Sequence, residues 1–419
     1  MRSACDSDKR DDAAYNLQIE VSILDLQMIR RDAASTLTRL AKGFPILAIT
    51  GPRQAGKTTL AKAVFIGKPY VTLENPDERE FAQNDPKRFL ARFPQGAILD
   101  EVQRTPQLLS WLQGWVDERK VMGDFVLTGS AQFDLIESIT QTLAGRVARV
   151  ELLPLSAGEL AEAGKLPAAL TQMLIQGSYP ALYDRQISPQ DWFSNYIATY
   201  VERDVRQLIA VRDLGLFQTF VKMCAARTGQ LLNLASLGAD CGISAVTAKQ
   251  WLTVLETSYV ITLLRPHHRN YGKRLVKSPK LYFLDSGLAA WLMGIRDAQT
   301  LETHAGRGAL FETWVVSELY KQRLNAGQPL DLYFWRDSTG NEVDLVIETA
   351  RGLQPLEIKS GSTYAADWTH GLRKWQALAG SESLEPSLVY GGEMSFAREG
   401  LKVWSWKDVA QSIRETTIG

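Results

Sequence analysis

The sequence predicts an α/β protein whose N-terminal half is built on a doubly wound parallel sheet. Three observations point to this fold class. Short apolar runs alternate with helical segments between residues 45 and 155. A glycine-rich turn joins the first of these runs to a helix, and a second group of alternating strands occurs near the C-terminus. Alternating strands and helices favour a parallel sheet covered by helices on both faces.

The elements of this half follow one another in a regular order. A helix in residues 27–43 ends at Gly43 and precedes the first strand. The predicted strands are PILAIT (45–50), YVTLE (70–74), AILDE (97–101), DFVLTGS (124–130) and ARVELLPL (148–155). Helical patterns then dominate from residue 156 to about 230, and residues 231–264 indicate a helix, a turn, a helix and a strand.

These patterns divide the chain into five segments. We expect a disordered N-terminal tail, a parallel-sheet core, a helical segment, a middle segment of helices and a strand, and a C-terminal α/β domain. Their predicted bounds are residues 1–25, 26–155, 156–215, 216–279 and 280–419 respectively. A chain of 419 residues is too long for one hydrophobic core, which agrees with several domains.

Composition excludes some classes of protein and leaves others. Lys and Arg together number 47, as do Asp and Glu, so any contact with nucleic acid must come from a local patch. The cysteines Cys5, Cys224 and Cys241 form no zinc-binding or disulfide pattern. The N-terminus has no apolar core typical of a secretion signal, and no run is long enough for a membrane helix. We therefore expect a cytoplasmic protein.

The turn GPRQAGKT (51–58) fits the pattern G-x-x-x-x-G-K-[ST] between a buried strand and a helix. Its backbone N–H groups and the helix N-terminus favour phosphate oxygens. Lys57 is expected to reach the β- and γ-phosphates, and Thr58 to bind Mg²⁺. The residues predicted to bind ATP and its metal are Gly51, Pro52, Arg53, Gln54, Ala55, Gly56, Lys57, Thr58, Thr59 and Asp100.

Two later strands end in residues suited to nucleotide hydrolysis. Asp100 and Glu101 close the strand AILDE, where Asp100 would hold Mg²⁺ and Glu101 would polarise the attacking water. Another strand ends in Thr128, Gly129 and Ser130, whose hydroxyl could sense the γ-phosphate or orient the water. An ordinary glycine turn is the alternative for that segment.

Several motifs give the chain a resemblance to a known family. GPRQAGKTTL, LDEVQR, LTGSAQF, LAGRV followed by ELLPLS, and YVERDV are similar to AAA-type P-loop ATPases of bacteria and archaea that carry a C-terminal domain of unknown function. The resemblance extends over nearly the whole chain after about residue 25. It implies an ATPase core, a helical lid, a winged-helix-like middle and a C-terminal domain resembling PD-(D/E)xK nucleases, a restriction-endonuclease-like fold.

The same resemblance implies a role for an arginine. In AAA-type proteins an arginine just before the last core strand commonly touches the γ-phosphate of a neighbouring subunit. Arg146 in LAGRV matches that place, while Arg203 and Arg206 are weaker candidates. The resemblance thus implies a homo-oligomer, and a surface salt bridge is the alternative for Arg146.

The middle segment contains a candidate surface for DNA. Residues 244–251 read as a recognition helix with small and polar residues outward and Trp251 and Leu252 inward. The run from Arg265 to Lys280 has six Lys or Arg, two His and no acid, which suits a wing against phosphates. A helical hairpin with a solvated basic loop is the alternative.

The C-terminal stretch GNEVDLVIETARGLQPLEIKSG (340–361) predicts a β-hairpin with a set register. A turn at residues 349–352 places Glu348 opposite Leu353, and therefore Asp344 opposite Glu357 and Glu342 opposite Lys359. Two opposed carboxylates repel each other unless a cation lies between them, and oxygen ligands suit Mg²⁺.

This hairpin has two interpretations. In the first, Asp344 and Glu357 bind a metal with Glu312 of the preceding helix, or with Glu318 as the alternative, and Lys359 stabilises the attacking hydroxide or the negative charge on phosphate. Together with the family resemblance, this favours a nuclease-like fold with a metal-dependent site. In the second, Lys359 pairs with Glu342 and the acids are simply solvated.

Three classes of function follow from these predictions. The first is an ATP-binding and ATP-hydrolysing enzyme that acts on or with DNA, through residues 244–280 and a nuclease site. The second is a nucleotide-switched regulatory or protein-binding ATPase whose nuclease-like domain is a silent docking module, with Asp344 and Glu357 blocked by other side chains. The third is a remodeller of protein partners that does not bind DNA.

Overall fold

The computed structural model describes residues 28–129, 142–185, 187–200, 214–267 and 276–412. Two sheets organise these residues. The first contains the five predicted core strands, and the second runs through the middle and C-terminal segments. Among the described residues, no helix has the length and apolar character needed to cross a lipid bilayer.

The first sheet has the order β2-β3-β4-β1-β5, and all of its pairs are parallel. The α/β core predicted from the alternating pattern is therefore confirmed. Its central strands are buried along their whole length, as expected for apolar runs covered by helices on both faces. The strands are β1 (Ile46–Thr50), β2 (Tyr70–Thr72), β3 (Ala97–Asp100), β4 (Phe125–Thr128) and β5 (Val147–Glu151).

Helices on both sides of this sheet begin at residues that favour helix starts. Asn75 and Asp85 accept backbone N–H bonds in front of helices whose first residue is proline. The helices of the core are α1 (Ala33–Leu40), α2 (Lys57–Val64), α3 (Pro76–Asn84), α4 (Pro86–Ala91) and α5 (Leu108–Arg119).

A helical region follows the core sheet, as the sequence predicts. Its first helix has a capping box, in which Ser156 and Glu159 each bond to the other's backbone N–H. Buried Trp and Tyr side chains pack together behind it. The helices are α6 (Ala157–Glu162), α7 (Leu170–Gln176), α8 (Ala181–Asp184) and α9 (Pro189–Tyr200).

The middle segment has the predicted succession of helix, turn, helix and strand. Trp251 and Leu252 are buried, while the small and polar residues at the start of their helix face outward. Its elements are α10 (Leu214–Ala225), β6 (Gln230–Leu231), α11 (Leu234–Asp240), α12 (Ala245–Thr257), β7 (Ile261–Pro266) and β8 (Lys280–Phe283). Residues 268–275 of the basic run lie outside the described residues.

The second sheet crosses the boundary predicted between residues 279 and 280. Strand β8, which begins at this boundary, pairs with β6 and β7, and β7 also pairs in parallel with β9 of the C-terminal segment. The sheet order is β13-β14-β12-β11-β10-β9-β7-β8-β6. Its remaining strands are β9 (Leu332–Arg336), β10 (Glu342–Thr349), β11 (Gly352–Lys359), β12 (Ser387–Tyr390), β13 (Phe396–Arg398) and β14 (Leu401–Ser405).

Strands β10 and β11 form the predicted hairpin. Leu345 pairs with Leu356, and Glu348 pairs with Leu353, as the alternation of apolar residues predicts. The helices of this part are α13 (Ser286–Leu292), α14 (Ala298–Thr303), α15 (Arg307–Asn325) and α16 (His370–Ala379). The 19-residue helix α15 is buried along most of its length because it lies between the second sheet and the ATPase half.

Candidate functional sites

The turn between β1 and α2 has the backbone of a phosphate-binding loop. Gly51, Gln54 and Gly56 all have positive φ values, at 147°, 61° and 91°. A Cβ at Gly51 would lie 2.1 Å from the carbonyl oxygen of Leu152 on the adjacent chain segment. Only glycine fits there, because the loop begins in contact with the backbone that follows β5.

Lys57 opens helix α2 and turns back into this loop. Its side chain is buried and donates hydrogen bonds to the carbonyl oxygens of Gly51 (3.1 Å) and Pro52 (2.7 Å). An ammonium group held among loop carbonyls suits a lysine that exchanges these oxygens for those of phosphate groups. The contact of Lys57 with the β- and γ-phosphates stays a prediction.

Asp100 gathers three hydroxyl groups at the end of β3. Thr58 Oγ1 donates to Asp100 Oδ1 at 3.0 Å, and Thr128 Oγ1 donates to the same oxygen. Tyr70 Oη donates to Asp100 Oδ2 at 2.8 Å. A hydroxyl whose hydrogen points to a carboxylate presents its lone pairs elsewhere, so Thr58 and Asp100 fit a Mg²⁺ ion bound between them and phosphate.

Glu101 follows Asp100 in a left-handed conformation, with φ 57° and ψ 42°. Gln103 Nε2 donates to its Oε2. Burial raises the pKa of Glu101, while the charges of Lys57 and Arg53 lower it. A bulky residue in this backbone region often marks a functional position, and the raised pKa makes the carboxylate a better proton acceptor.

The structure says less about the other predicted catalytic residues of the ATPase half. Ser130, Arg203 and Arg206 lie outside the described residues. Arg146 forms a two-pronged ion pair with Asp117, with distances of 2.7 Å and 2.8 Å between guanidinium nitrogens and carboxylate oxygens. The surface salt bridge therefore exists within the chain, and a role for Arg146 towards a neighbouring subunit stays a prediction.

A cavity of about 330 Å³ adjoins the loop on the side of helices α1 and α2. Arg31 closes one wall: its guanidinium donates to the carbonyl oxygens of Ala55 (2.8 Å) and Leu153 (2.7 Å) and to Glu159 Oε1 (3.0 Å). The lining is mostly apolar and includes Met28, Ile29, Leu60, Val64, Leu155 and Pro180. An apolar slot beside a phosphate loop has the character of a site for a flat ring.

A second group of charged residues lies at the C-terminal hairpin. Asp344 Oδ2 accepts the backbone N–H of Ile358 at 2.8 Å, so this carboxylate is fixed across the two strands. Lys359 Nζ lies 2.5 Å from Glu357 Oε1 and 3.8 Å from Asp344 Oδ2. Lys359 thus contacts both acids of the predicted motif rather than Glu342, its alternative partner.

Glu312 and Glu342 are held by a lysine from another strand. Lys280 Nζ lies 2.9 Å from Glu312 Oε1 and 2.5 Å from Glu342 Oε1, with only 5% of its side chain exposed. Tyr282 Oη also donates to Glu312 Oε1, at 2.5 Å. Lys280, the last residue of the predicted basic wing, is therefore not available to phosphates, because its charge is paired inside the protein; a wing formed by the rest of the run stays a prediction.

The three carboxylates predicted as metal ligands do not form one ligand group in this structure. Among the described residues, no three His, Cys, Asp or Glu side chains are arranged to hold a metal ion. Glu312 turns its Oε1 towards Lys280 and Tyr282, whereas Glu357 Oε2 is buried without a hydrogen-bond partner. Glu357 therefore remains as the acid with an available oxygen, with Asp344 on the neighbouring strand.

Glu318, the alternative to Glu312, lies elsewhere. Its side chain is fully buried, accepts the backbone N–H of Ala157 at 2.7 Å and pairs with Lys321 at 2.7 Å. Although both acids belong to α15, they point to different neighbours. Glu318 thus joins α15 to the helical region and does not belong to the hairpin site.

Electrostatics couple the acids of the hairpin site. Burial, together with the charge of Asp344, raises the pKa of Glu357 to about 8. The same two causes raise the pKa of Glu312. Burial lowers the pKa of Lys359, but the charges of Asp344 and Glu357 outweigh it and raise that pKa. The site therefore favours bound protons or cations, which reduce its negative charge.

Sequence reasoning missed three residues that shape these sites: Tyr70, Arg31 and Lys280. Tyr70 and Arg31 carry no motif, because a lone aromatic or basic residue at the edge of an element gives no sequence signal. Lys280 stands out in the sequence only as part of a basic run. Its position in β8, on the same strand face as Tyr282, could have indicated that it points into the protein.

Three family models match the chain in order. Residues 43–161 match a model described as an AAA domain. Residues 167–299 and 307–409 match two models described as domains of unknown function, DUF8612 and DUF4143. The AAA match covers the phosphate loop, Asp100 and Glu101, so the P-loop ATPase core expected from the motifs is confirmed.

Solved structures show weaker similarity. The Walker-type ATPase PABY2304 of Pyrococcus abyssi is 14% identical, with a TM-score of 0.44, over 63% of this chain and 96% of that chain. A single-substitution variant of RuvB from Thermotoga maritima is 18% identical, with a TM-score of 0.26, over 56% of this chain and 88% of that chain.

Two mycobacterial proteins are similar over most of the chain. The uncharacterized protein Rv2008c of Mycobacterium tuberculosis is 34% identical over 372 residues, which cover 88% of this chain and 81% of that protein. The uncharacterized protein Mb2031c of Mycobacterium bovis matches to the same extent. The chain therefore belongs to the family of these mycobacterial proteins, and its AAA domain makes it an AAA-type P-loop ATPase.

Proposed function

We propose that this protein hydrolyses ATP in a Mg²⁺-dependent reaction and that it acts on or with DNA. The observation that carries the first part is the 3.0 Å hydrogen bond between Thr58 Oγ1 and Asp100 Oδ1, directly beside the buried Lys57. It joins the two oxygen groups that would bind the metal to the loop that would bind the phosphates.

Each residue of this site has a part in the proposed reaction. Lys57 binds the β- and γ-phosphates, and Thr58 and Asp100 would hold Mg²⁺, which would neutralise charge on the phosphate oxygens. Glu101 orients the attacking water and accepts its proton. The adenine ring occupies the apolar cavity beside helices α1 and α2, where Ile29, Leu155 and Pro180 can cover its faces.

Replacing Lys57 tests the proposal. We expect Lys57→Ala to lower the rate of ATP hydrolysis by about a hundredfold or more, because a charged donor to the phosphates is lost. The exposed Lys42→Ala is the matched control and should hydrolyse ATP like the wild type. Phosphate release with Mg²⁺, and with EDTA in its place, measures both effects. A wild-type protein that binds no nucleotide would refute the proposal.

A second function is favoured by the hairpin site. We propose that Asp344 and Glu357 bind a divalent cation and that Lys359 stabilises negative charge during cleavage of a phosphodiester in DNA. The supporting observation is Glu357, whose buried Oε2 lacks a hydrogen-bond partner while Lys359 lies against its Oε1. A buried carboxylate oxygen of this kind is suited to a metal ion.

DNA would reach this site along the middle segment. Helix α12 presents Val246, Lys249, Gln250 and Thr253 to solvent, which leaves a small and polar face of the kind that enters a groove. Lys277 near the end of the basic run is also exposed. We therefore place DNA against α12 and the C-terminal domain.

Glu357→Gln tests the second function, because it keeps the shape of the side chain and removes the ionisable carboxyl group that would bind the cation. We expect wild-type protein to nick plasmid DNA with Mg²⁺ or Mn²⁺, and Glu357→Gln to lose this activity. The exposed Glu399→Gln is the control and should stay active. If the wild type binds but does not cut single-stranded, duplex or branched DNA, the domain is a docking module. If it also fails to bind DNA, a protein partner is indicated.

A further inference from the structure

Tyr259 lies directly after helix α12 in a backbone conformation that is unfavourable for a tyrosine. Its φ is 56°. Its N–H donates to the carbonyl of Glu256 at 3.0 Å, and the N–H of Val260 donates to that of Leu255 at 2.9 Å. This pair of hydrogen bonds defines a helix end at which glycine is the usual residue.

The side chain of Tyr259 explains why glycine is not used. Its hydroxyl donates to Glu151 Oε2 at 2.8 Å and lies 3.4 Å from Thr50 Oγ1. Burial, and then the charge of Glu151, raises the pKa of Tyr259, so the hydroxyl keeps its proton at neutral pH. The other oxygen of Glu151 pairs with Arg149 at 2.6 Å.

Both partners of this hydroxyl flank the start of the phosphate loop. Thr50 is the last residue of β1 and directly precedes Gly51. Glu151 is the last residue of β5, and the next residue, Leu152, donates its N–H to the carbonyl of Thr50 at 2.8 Å. The hydroxyl of Tyr259 therefore joins the ends of the two strands between which the loop begins.

We propose that Tyr259 is a positioning residue for the phosphate loop, contributed by the segment that follows the lid. The inference rests on the proposed ATP hydrolysis and adds a residue that no motif includes. Tyr259 fixes the entry of the loop, and it links the loop to helix α12, whose outward face is the surface proposed for DNA. The unfavourable backbone conformation of Tyr259 is tolerated because its ring carries the hydroxyl group to the start of the phosphate loop.

Tyr259→Phe tests this proposal, because it keeps the ring and removes the hydroxyl. Tyr390→Phe is the matched control: Tyr390 also donates one hydrogen bond, to the carbonyl of Met394 at 2.8 Å, but in the C-terminal segment. Without nucleotide, we expect amide hydrogen exchange of residues 51–57 to be about threefold to tenfold faster in Tyr259→Phe, and unchanged in the control.

Kinetics separate positioning from general stability. We expect Tyr259→Phe to lower kcat for ATP by about threefold to tenfold with a smaller change in KM, since the loop must be ordered in the transition state. Tyr259→Gly relieves the backbone strain but removes the ring and its hydroxyl, so it should show the same faster exchange of residues 51–57. Combining Tyr259→Phe with Glu151→Gln should add little to either single change.

The possible results separate the positioning role of Tyr259 from the proposed ATP hydrolysis. Equal exchange at residues 51–57 in wild type and Tyr259→Phe would overturn the positioning role, whether or not ATP is hydrolysed. Faster exchange in Tyr259→Phe, together with a wild type that shows no ATP turnover, would leave the positioning role standing and refute the proposed hydrolysis. Equal kcat in an active wild type and Tyr259→Phe would also overturn the inference.

Discussion

At the scale of single residues, Asp100 illustrates how a metal-binding carboxylate is prepared by its neighbours. One of its oxygens accepts from Thr58 and Thr128, and the other accepts from Tyr70. Burial, followed by the hydrogen bond to Asp100, raises the pKa of Tyr70 to about 12, so this phenol remains a donor at neutral pH. Asp100 is thus held in one orientation by donors from three separate elements.

Asp337 provides a prediction at the same scale. It accepts hydrogen bonds from the backbone and side chains of both Thr339 and Asn341 in the turn between β9 and β10. Desolvation raises its pKa, but the hydrogen bonds from Asn341 and Thr339 outweigh this and lower the pKa to about 2. The ionised form is therefore stabilised in the folded protein.

The sign of the pH effect follows from this shift. The stability from Asp337 is present above the unfolded-state pKa of about 3.9 and is lost as the pH falls through the folded value near 2. We expect Asp337→Asn to lower the urea midpoint at pH 6 and to differ less from wild type at pH 3. Asp367→Asn, at an exposed position, should show no such convergence. A difference that stays constant with pH would contradict the prediction.

At the scale of secondary-structure elements, the features that depend on local sequence patterns were predictable, whereas the long-range contacts were not. The hairpin register follows from the alternation of apolar residues, since a shift by one residue would turn Leu345 and Leu356 away from the core. The phosphate loop was predictable because its glycines and Lys57 are close in sequence. Both features are set by neighbouring residues.

Lys280 shows what such patterns cannot predict. It reaches Glu312 of helix α15 across 32 positions of sequence and Glu342 of strand β10, and only the order of the second sheet and the packing of α15 on it bring the three together. The sequence therefore predicted the acids near the hairpin, but it did not predict that Lys280 forms ion pairs with two of them, Glu312 and Glu342. A charged residue inside a basic run looks solvated until the sheet order is known.

At the scale of the whole molecule, helix α15 connects the two halves of the protein. Its first part carries Glu312 beside the hairpin site, and its second part carries Glu318 and Lys321 against the helical region. Lys321 Nζ donates to Ser178 Oγ at 2.9 Å and to Glu318 Oε1 at 2.7 Å, with both ionic side chains almost fully buried.

Further contacts make this junction close-packed. Asp285, also buried, accepts the backbone N–H of Ser178 at 2.7 Å, and a Cβ at Gly177 would lie 2.4 Å from Asp285 Oδ1. Burial raises the pKa of Asp285, while the charge of Lys321 lowers it. One lysine thus compensates two buried acids, so its removal would leave both without this cation in the junction.

This arrangement predicts the effect of Lys321→Met. Breaking a buried ion pair by removing one partner typically costs about 3–5 kcal/mol, because the remaining charge stays buried. We expect a loss of this size in the free energy of unfolding of the junction, measured by urea-induced unfolding and by amide exchange at residues 177–179. The exposed pair Lys407–Glu393 has the same 2.7 Å distance and serves as the control. Lys407→Met should change stability by about 1 kcal/mol or less.

A double variant separates the two origins of this loss. If the buried charge of Glu318 dominates, Glu318→Gln combined with Lys321→Met should be more stable than Lys321→Met alone, since a neutral amide can still accept from Ala157. If packing of the lysine stem dominates, the double variant should be no more stable than the single one. Equal stability of Lys321→Met and Lys407→Met would contradict the role of the junction. The charge account is favoured because the Met side chain has nearly the length of the lysine stem and fills most of its volume.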